Sequence, residues 1–111
     1  MSGGPGAALR ARVYLRDSAR AGDRPAYEAV AEAFREQGIE DVSVHRGILG
    51  FDRSSEILSA RPLRFHPDLP VVVEAAGARW RVEAALPRVR AALPRGLITL
   101  SEVELHPPEG G

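Results

Sequence analysis

Cysteine, lysine and asparagine are all missing from this 111-residue chain, and aromatic residues make up only 5% of it. Without cysteine there is no disulfide, no thiolate metal site and no cysteine nucleophile. An excess of either charge is missing too: fifteen basic and fifteen acidic side chains cancel to a formal charge of zero. Binding to nucleic acid or to anionic lipid draws on a basic surface, so the balance argues against both. No apolar run approaches the ~20 residues that cross a bilayer as a helix. The first eight residues lack the charged start and apolar centre of a secretory signal. The expectation is a cytoplasmic protein with no direct membrane insertion.

What is present fits one domain with a real core. Residues 1–8 and 107–111 are small, Gly- and Pro-rich stretches expected to be disordered tails, which leaves residues 9–106 as the folded unit. Within it, Leu9, Ala11, Val13 and Leu15 alternate with Arg10, Arg12, Tyr14 and Arg16, the period of a strand with one apolar face. Asp23 and Pro25 suggest a helix start with a capping carboxylate. Tyr27, Val30, Ala31 and Phe34 then form one helical stripe, and Gly38 is placed to end it. Alternation returns over residues 42–48. Val71, Val72 and Val73 in a row suggest a central strand with both faces covered. A second helix is expected over about residues 78–93, with Pro87 inside it at the cost of one hydrogen bond. The last strand includes Val103–Leu105, preceded by a short piece at Leu97–Thr99.

The order β-α-β-β-α-β gives an α+β, ferredoxin-like domain. It has a four-stranded antiparallel sheet with two helices on one face. Apolar groups on both faces of the strands then imply that a second copy covers the other face, hence a homo-oligomer. Trp80 and Phe34 read as core residues.

Between Ile48 and Leu69 runs a connection far longer than an ordinary hairpin loop, and such loops are functional or disordered. Part of it, residues 57–65, alternates weakly and could extend the flanking strands as a ribbon. Gly47 and Gly50 permit close backbone approach. Arg46 and Arg53 offer forked donors for phosphate or carboxylate, and Ser54 and Ser55 add hydroxyls. The same residues also suit a solvated hairpin whose glycines serve the turn. Neither a GxxxxGK[ST] nor a GxGxxG sequence decides between the two.

Three blocks carry a resemblance. They are Asp23 to Ala29, then Arg46-Gly47-Ile48-Leu49-Gly50-Phe51, then Asp68-Leu69-Pro70-Val71-Val72-Val73-Glu74; the closing Gly96 to Glu104 joins them. At this spacing the chain resembles the family called domain of unknown function 190, across about residues 9–105. It departs from that family at Asp23 and Arg24, where Gly and Lys are usual, and at Asp52, where Gly is common. The resemblance implies a trimer similar to PII signal proteins, with residues 47–68 as a long protruding loop. It further implies an adenine nucleotide in clefts between subunits, at the loop base and before the last strand. On this chain those places are Arg46, Gly47, Gly50, Phe51 and Arg53, with Arg95 and Gly96. Members of the family lie beside membrane transport genes, fluoride exporters among them, which implies a transporter as a partner controlled through the loop.

Other chemistry finds little footing. His45, His66 and His106 lack paired metal-ligand spacing, so no metal site is expected. RNA-binding domains of this topology stack bases on sheet aromatics, and the strands offer Tyr14 alone. Acylphosphatases share the topology but use an arginine–asparagine pair, which a chain without asparagine cannot supply. No nucleophile, base and oxyanion set is legible around Ser54 and Ser55. The expected function is ligand-sensing regulation without a resident cofactor and without enzyme activity. A ligand-independent structural or docking subunit of a membrane transporter is the alternative.

Overall fold

The computed structural model describes residues 8–51, 57–59 and 68–108. Strand β1 (Ala8–Arg16) is followed by a two-residue ribbon, β2 (Arg20–Ala21) with β3 (Arg24–Pro25). Then come α1 (Ala26–Glu36), β4 (Asp41–Arg46), β5 (Leu49–Phe51), β6 (Ile57–Ser59), β7 (Pro70–Ala78), α2 (Arg79–Ala92) and β8 (Leu97–Val103). The main sheet has the order β4-β7-β1-β8, and every pairing is antiparallel. This is the expected ferredoxin-like arrangement. Strands β5 and β6 pair in a two-stranded sheet of their own, Leu49 opposite Ser59, and of residues 57–65, expected to extend the flanking strands, only 57–59 are described.

Alternation on β1 turns Leu9, Ala11, Val13 and Leu15 to the helices, where all are buried. Val71, Val73 and Ala75 of β7 sit beside them in register, Val13 opposite Val73. Helix α1 adds Ala26, Val30, Ala33 and Phe34, and α2 adds Val82, Ala85 and Val89. The helices touch each other, with α1 lying on β4 and β7 and α2 on β7 and β1. Strand β8 is covered least, and Leu100 on its helix side stays exposed.

Helix α1 ends as expected. Gly38 adopts φ 81°, a left-handed value that glycine tolerates. Its N–H donates to Arg35 O, and the N–H of Ile39 reaches back to Phe34 O, a closure typical of a glycine-stopped helix. Ile39 then drops into the core. Arg81 of α2 donates to Gln37 O at 2.7 Å, satisfying a carbonyl that α1 leaves open.

Four expectations fail for local reasons. Pro25, not Asp23, precedes the first helical residue, and no side chain caps the helix. The intervening ribbon turns at Gly22, and Asp23 instead offers its backbone carbonyl to Arg20. Trp80 is 62% exposed: as the second residue of α2 it lies off the Val82–Ala85–Val89 stripe, and the Arg81 guanidinium stacks 4.5 Å from its ring. Strand β4 stops at Arg46, and Ile48, expected to continue it, is 81% exposed. The last strand is continuous from Leu97 and stops before Leu105, because all seven of its residues from Leu97 to Val103 pair with β1.

The face away from the helices also differs from expectation. By register it carries Arg10, Arg12 and Tyr14 of β1, Val72, Glu74 and Ala76 of β7, Ser43 and His45 of β4, and Leu97, Thr99 and Ser101 of β8. Of the three consecutive valines, only Val72 points there. The face is mixed rather than apolar, and its centre is an ion pair, Arg12 Nε to Glu74 Oε1 at 2.9 Å.

Candidate functional site

The two roots of the long connection leave the sheet side by side. Arg46, the last residue of β4, pairs with Val71, and Pro70, the first of β7, pairs with Arg16. The N–H of Gly47 donates to Pro70 O at 2.7 Å. A methyl group on Gly47 would stand 2.9 Å from Pro70 Cγ, and one on Gly50 3.1 Å from the same atom. Both glycines therefore have a packing reason to be glycine, since the roots close on the proline ring.

Arg46 is not a free cation. Its Nη2 donates to Asp17 Oδ1 at 2.9 Å, and its guanidinium lies 6.0 Å from the Tyr27 ring centre. The hydrogen bond to Asp17 holds the guanidinium above its ordinary pKa, with the Asp17 charge adding to the effect. Sequence reasoning missed Asp17 because it is 29 residues away. Only the β1–β7–β4 register brings the turn after β1 to the end of β4.

Asp68 anchors the other root. Its carboxylate accepts from Ser18 N–H at 3.0 Å and Ser18 Oγ at 2.8 Å, with Arg16 Nη1 3.6 Å away. Asp17 N–H donates to Leu69 O at 2.9 Å. The turn Arg16–Ser18 thus binds both roots.

Arg95 and Gly96 belong to the turn between α2 and β8. Arg90 Nη1 donates to Gly96 O at 2.6 Å and fixes that turn. A methyl group on Gly96 would run into Leu93 and come within 3.1 Å of Tyr14 O. Arg95 is exposed. The row Leu97–Tyr14–Val72–His45 crosses the sheet at this end. Arg95 and Gly96 therefore lie at the same end of the sheet as Arg46 and Gly47, but on the opposite edge. Three inter-strand spacings separate β8 from β4, about 14 Å. One copy of the chain does not bring the two groups together.

Phe51 closes β5 opposite Ile57. Arg53, Ser54, Ser55 and His66 lie outside the described residues, as does most of the long connection. Among the described residues no three His, Asp or Glu side chains could hold a metal ion. No helix there is long and apolar enough to cross a membrane. An open groove lies elsewhere, between α1 and the edge of β4, lined by Ala31, Ile39, Val42 and Val44 together with charged residues.

Comparison with known proteins agrees with this architecture. The model of the family DUF190, described as Uncharacterized ACR, matches residues 8–105. A UPF0166 protein of Aquifex aeolicus (strain VF5) is 29% identical over 94 residues, which span 85% of this chain and 89% of that protein. Among solved structures, CPII of Thiomonas intermedia K12 superposes with TM-score 0.67 at 11% identity, covering 94% of this chain and 92% of that one. That protein is a nitrogen regulatory PII-like protein bound to ADP, AMP and bicarbonate. PII of Arabidopsis thaliana bound to citrate gives 0.56 at 16% identity, covering 89% and 79%. The GlnK–ATP complex of B. subtilis gives 0.54 at 11% identity, covering 88% and 85%. At these identities the likeness establishes a shared PII-like fold.

Proposed function

The chain belongs to the DUF190 family, and on that premise we propose that it is a PII-like regulatory protein. It binds an adenine nucleotide between subunits of a homotrimer and controls a partner through the long connection. One observation carries this reading. The two groups of candidate residues lie at one end of the sheet on opposite edges. Each edge is incomplete as a site, and a head-to-tail ring of copies would set one edge against the other. Arg46 with the Gly47 and Gly50 backbone would then face Arg95 and Gly96 of the next copy. Such a site has two forked cations for phosphate oxygens and glycines that allow close backbone approach. PII-like proteins holding ADP, AMP or ATP on the same fold support the choice of ligand. The role is binding rather than catalysis, and it is exercised in the cytoplasm.

The docking-subunit reading keeps one specific support. Arg46 already has Asp17, and Gly47 and Gly50 already have Pro70. The roots are complete without any ligand, as a surface built only to dock on a transporter would be.

Calorimetric titration of the purified protein with AMP, ADP and ATP separates the two. Saturable binding at one site per subunit is expected, and Arg95→Ala should weaken it roughly ten- to a hundredfold. Arg95→Lys should recover part of the loss, keeping the charge without the fork. No binding up to millimolar nucleotide would sink the sensor reading in favour of the docking subunit.

A further inference from the structure

We infer that the turn Arg16–Ser18 is a clasp on both roots of the long connection, and that its Asp17 competes with an anionic ligand for Arg46. The competition rests on the nucleotide reading above; the clasp stands on geometry alone.

Three consecutive residues between them hold both roots, and Asp17 alone touches each. Asp17 holds the first root through Arg46 and touches the second through its N–H on Leu69 O. Ser18 holds the second root by two hydrogen bonds to Asp68, and Arg16 adds its charge to the same carboxylate. A β-strand ends without such an arrangement, and the ladder between β1 and β7 is already complete at Arg16–Pro70.

The two halves of the clasp are not equivalent. The half on Asp68 uses a backbone N–H and a hydroxyl of one residue, both bonded to the same carboxylate. The half on Arg46 is a single ion pair with the arginine side chain about half exposed, 49%, and Asp17 27% exposed. An exposed pair of that kind is weak. A phosphate carries more charge and offers two oxygens to the fork, so it can replace the carboxylate. Arg46 is the one residue common to the clasp and to the proposed phosphate contacts. Its guanidinium has two discrete partners, Asp17 without ligand and the phosphate with it. Ligand binding then removes the side-chain brace of the first root, whose backbone keeps the Gly47 N–H bond to Pro70 O, while Ser18 and Asp68 keep the second fixed. Occupancy of the site is thereby converted into a change of partner for Arg46 at the first root.

Asp17→Asn tests this, because it removes the charge and keeps the shape. Amide exchange by NMR without nucleotide decides the clasp. Gly47 N–H should exchange severalfold faster in Asp17→Asn, while Ser18 N–H, held by Asp68, should change little. Ser18→Ala should leave Gly47 unchanged. Equal exchange at Gly47 in wild type and Asp17→Asn would overturn the clasp. Titration with ADP and ATP decides the competition: Asp17→Asn should bind severalfold more tightly than wild type. Equal or weaker binding by the variant, with wild type still binding, would overturn the competition and leave the nucleotide reading intact. Binding by neither protein would instead remove the nucleotide reading and the competition with it.

Discussion

On β1 the residues turned to the helices are Leu9, Ala11, Val13 and Leu15, and those turned away are Arg10, Arg12, Tyr14 and Arg16. On β7 the same division sets Val71, Val73 and Ala75 against Val72, Glu74 and Ala76. The first set is buried almost to the last atom. The second is half-exposed and held by a charge pair that water still reaches. One face is thus finished by this chain's own helices, and the other is finished only in part. Burial of apolar area stabilises by about 25 cal/mol per Å², so the folding energy of one copy resides on the helix side. The open side is the face available to the proposed homotrimer, and its mixed chemistry would suit a contact that sets register as well as area.

The comparison is broken or sharpened most by two neighbouring valines. Val73 is fully buried under the helices, while Val72 is an apolar residue of the open face. Val73→Ala removes two methyl-sized units from a packed core, a loss of roughly 2–3 kcal/mol in urea unfolding. Val72→Ala should cost clearly less if the open face is bare. Equal losses would mean that a second copy covers it. Val72→Asp then supplies the assembly test by light scattering: a shift from oligomer to the 12.0 kDa chain without loss of helicity would identify the open face as the subunit contact. A stable 12.0 kDa species from wild type would remove the homotrimer altogether.

Most of the fold was legible because β1 and α1 state their periods without ambiguity. Alternation over Leu9–Arg16 and the Val30–Phe34 stripe fix what each element buries, and Gly38 marks where α1 stops. The three valines misled because a run of apolar residues has no period. It says that two faces are apolar at that point, and only the strands beside it say how far this extends. Here Arg12 and Glu74 flank Val72 and make the open face polar. Trp80 misled for a related reason: a large aromatic residue suggests burial, but position on the helix decides it. The candidate site was legible in part. The motif residues Arg46, Gly47 and Gly50 do gather at the roots. Their internal partners Asp17 and Pro70 were invisible, since only the sheet register joins segments that far apart.

The second largest effect concerns those glycines, where the open face meets the roots at Pro70. Gly47→Ala places a methyl group 2.9 Å from Pro70 Cγ, so the ring or the root must move. A loss of about 1–2 kcal/mol is expected from crowding of this kind. Gly50→Ala meets the same atom at 3.1 Å and should cost less. A neutral Gly47→Ala would show that packing on Pro70 is not why glycine stands there. Close approach of a ligand to the backbone would then become the stronger reason, readable as lost nucleotide binding at unchanged stability.

The smallest effect sits on the open face itself. Glu74 is held below its ordinary pKa of 4.5, first by the hydrogen bond from Arg12 and then by the charges of Arg12, Arg10 and His45, against a cost of desolvation. A carboxyl whose folded value is depressed stabilises the fold above its unfolded value and loses that contribution as pH falls through the folded one. The window is therefore below about 4.5, and nothing is expected between pH 6 and 8 from this group. The same bond raises the pKa of Arg12, which matters only in strong alkali. Glu74→Gln removes the titration, so the urea midpoints of wild type and variant should converge as pH is lowered from 6 to 3. The convergence should be small, because both side chains are about a third exposed or more and exposed pairs contribute little. Parallel midpoints across that range would show that the Arg12–Glu74 bond adds no pH-dependent stability. A convergence that grows with protein concentration would show that a second copy covers the pair and takes it out of water.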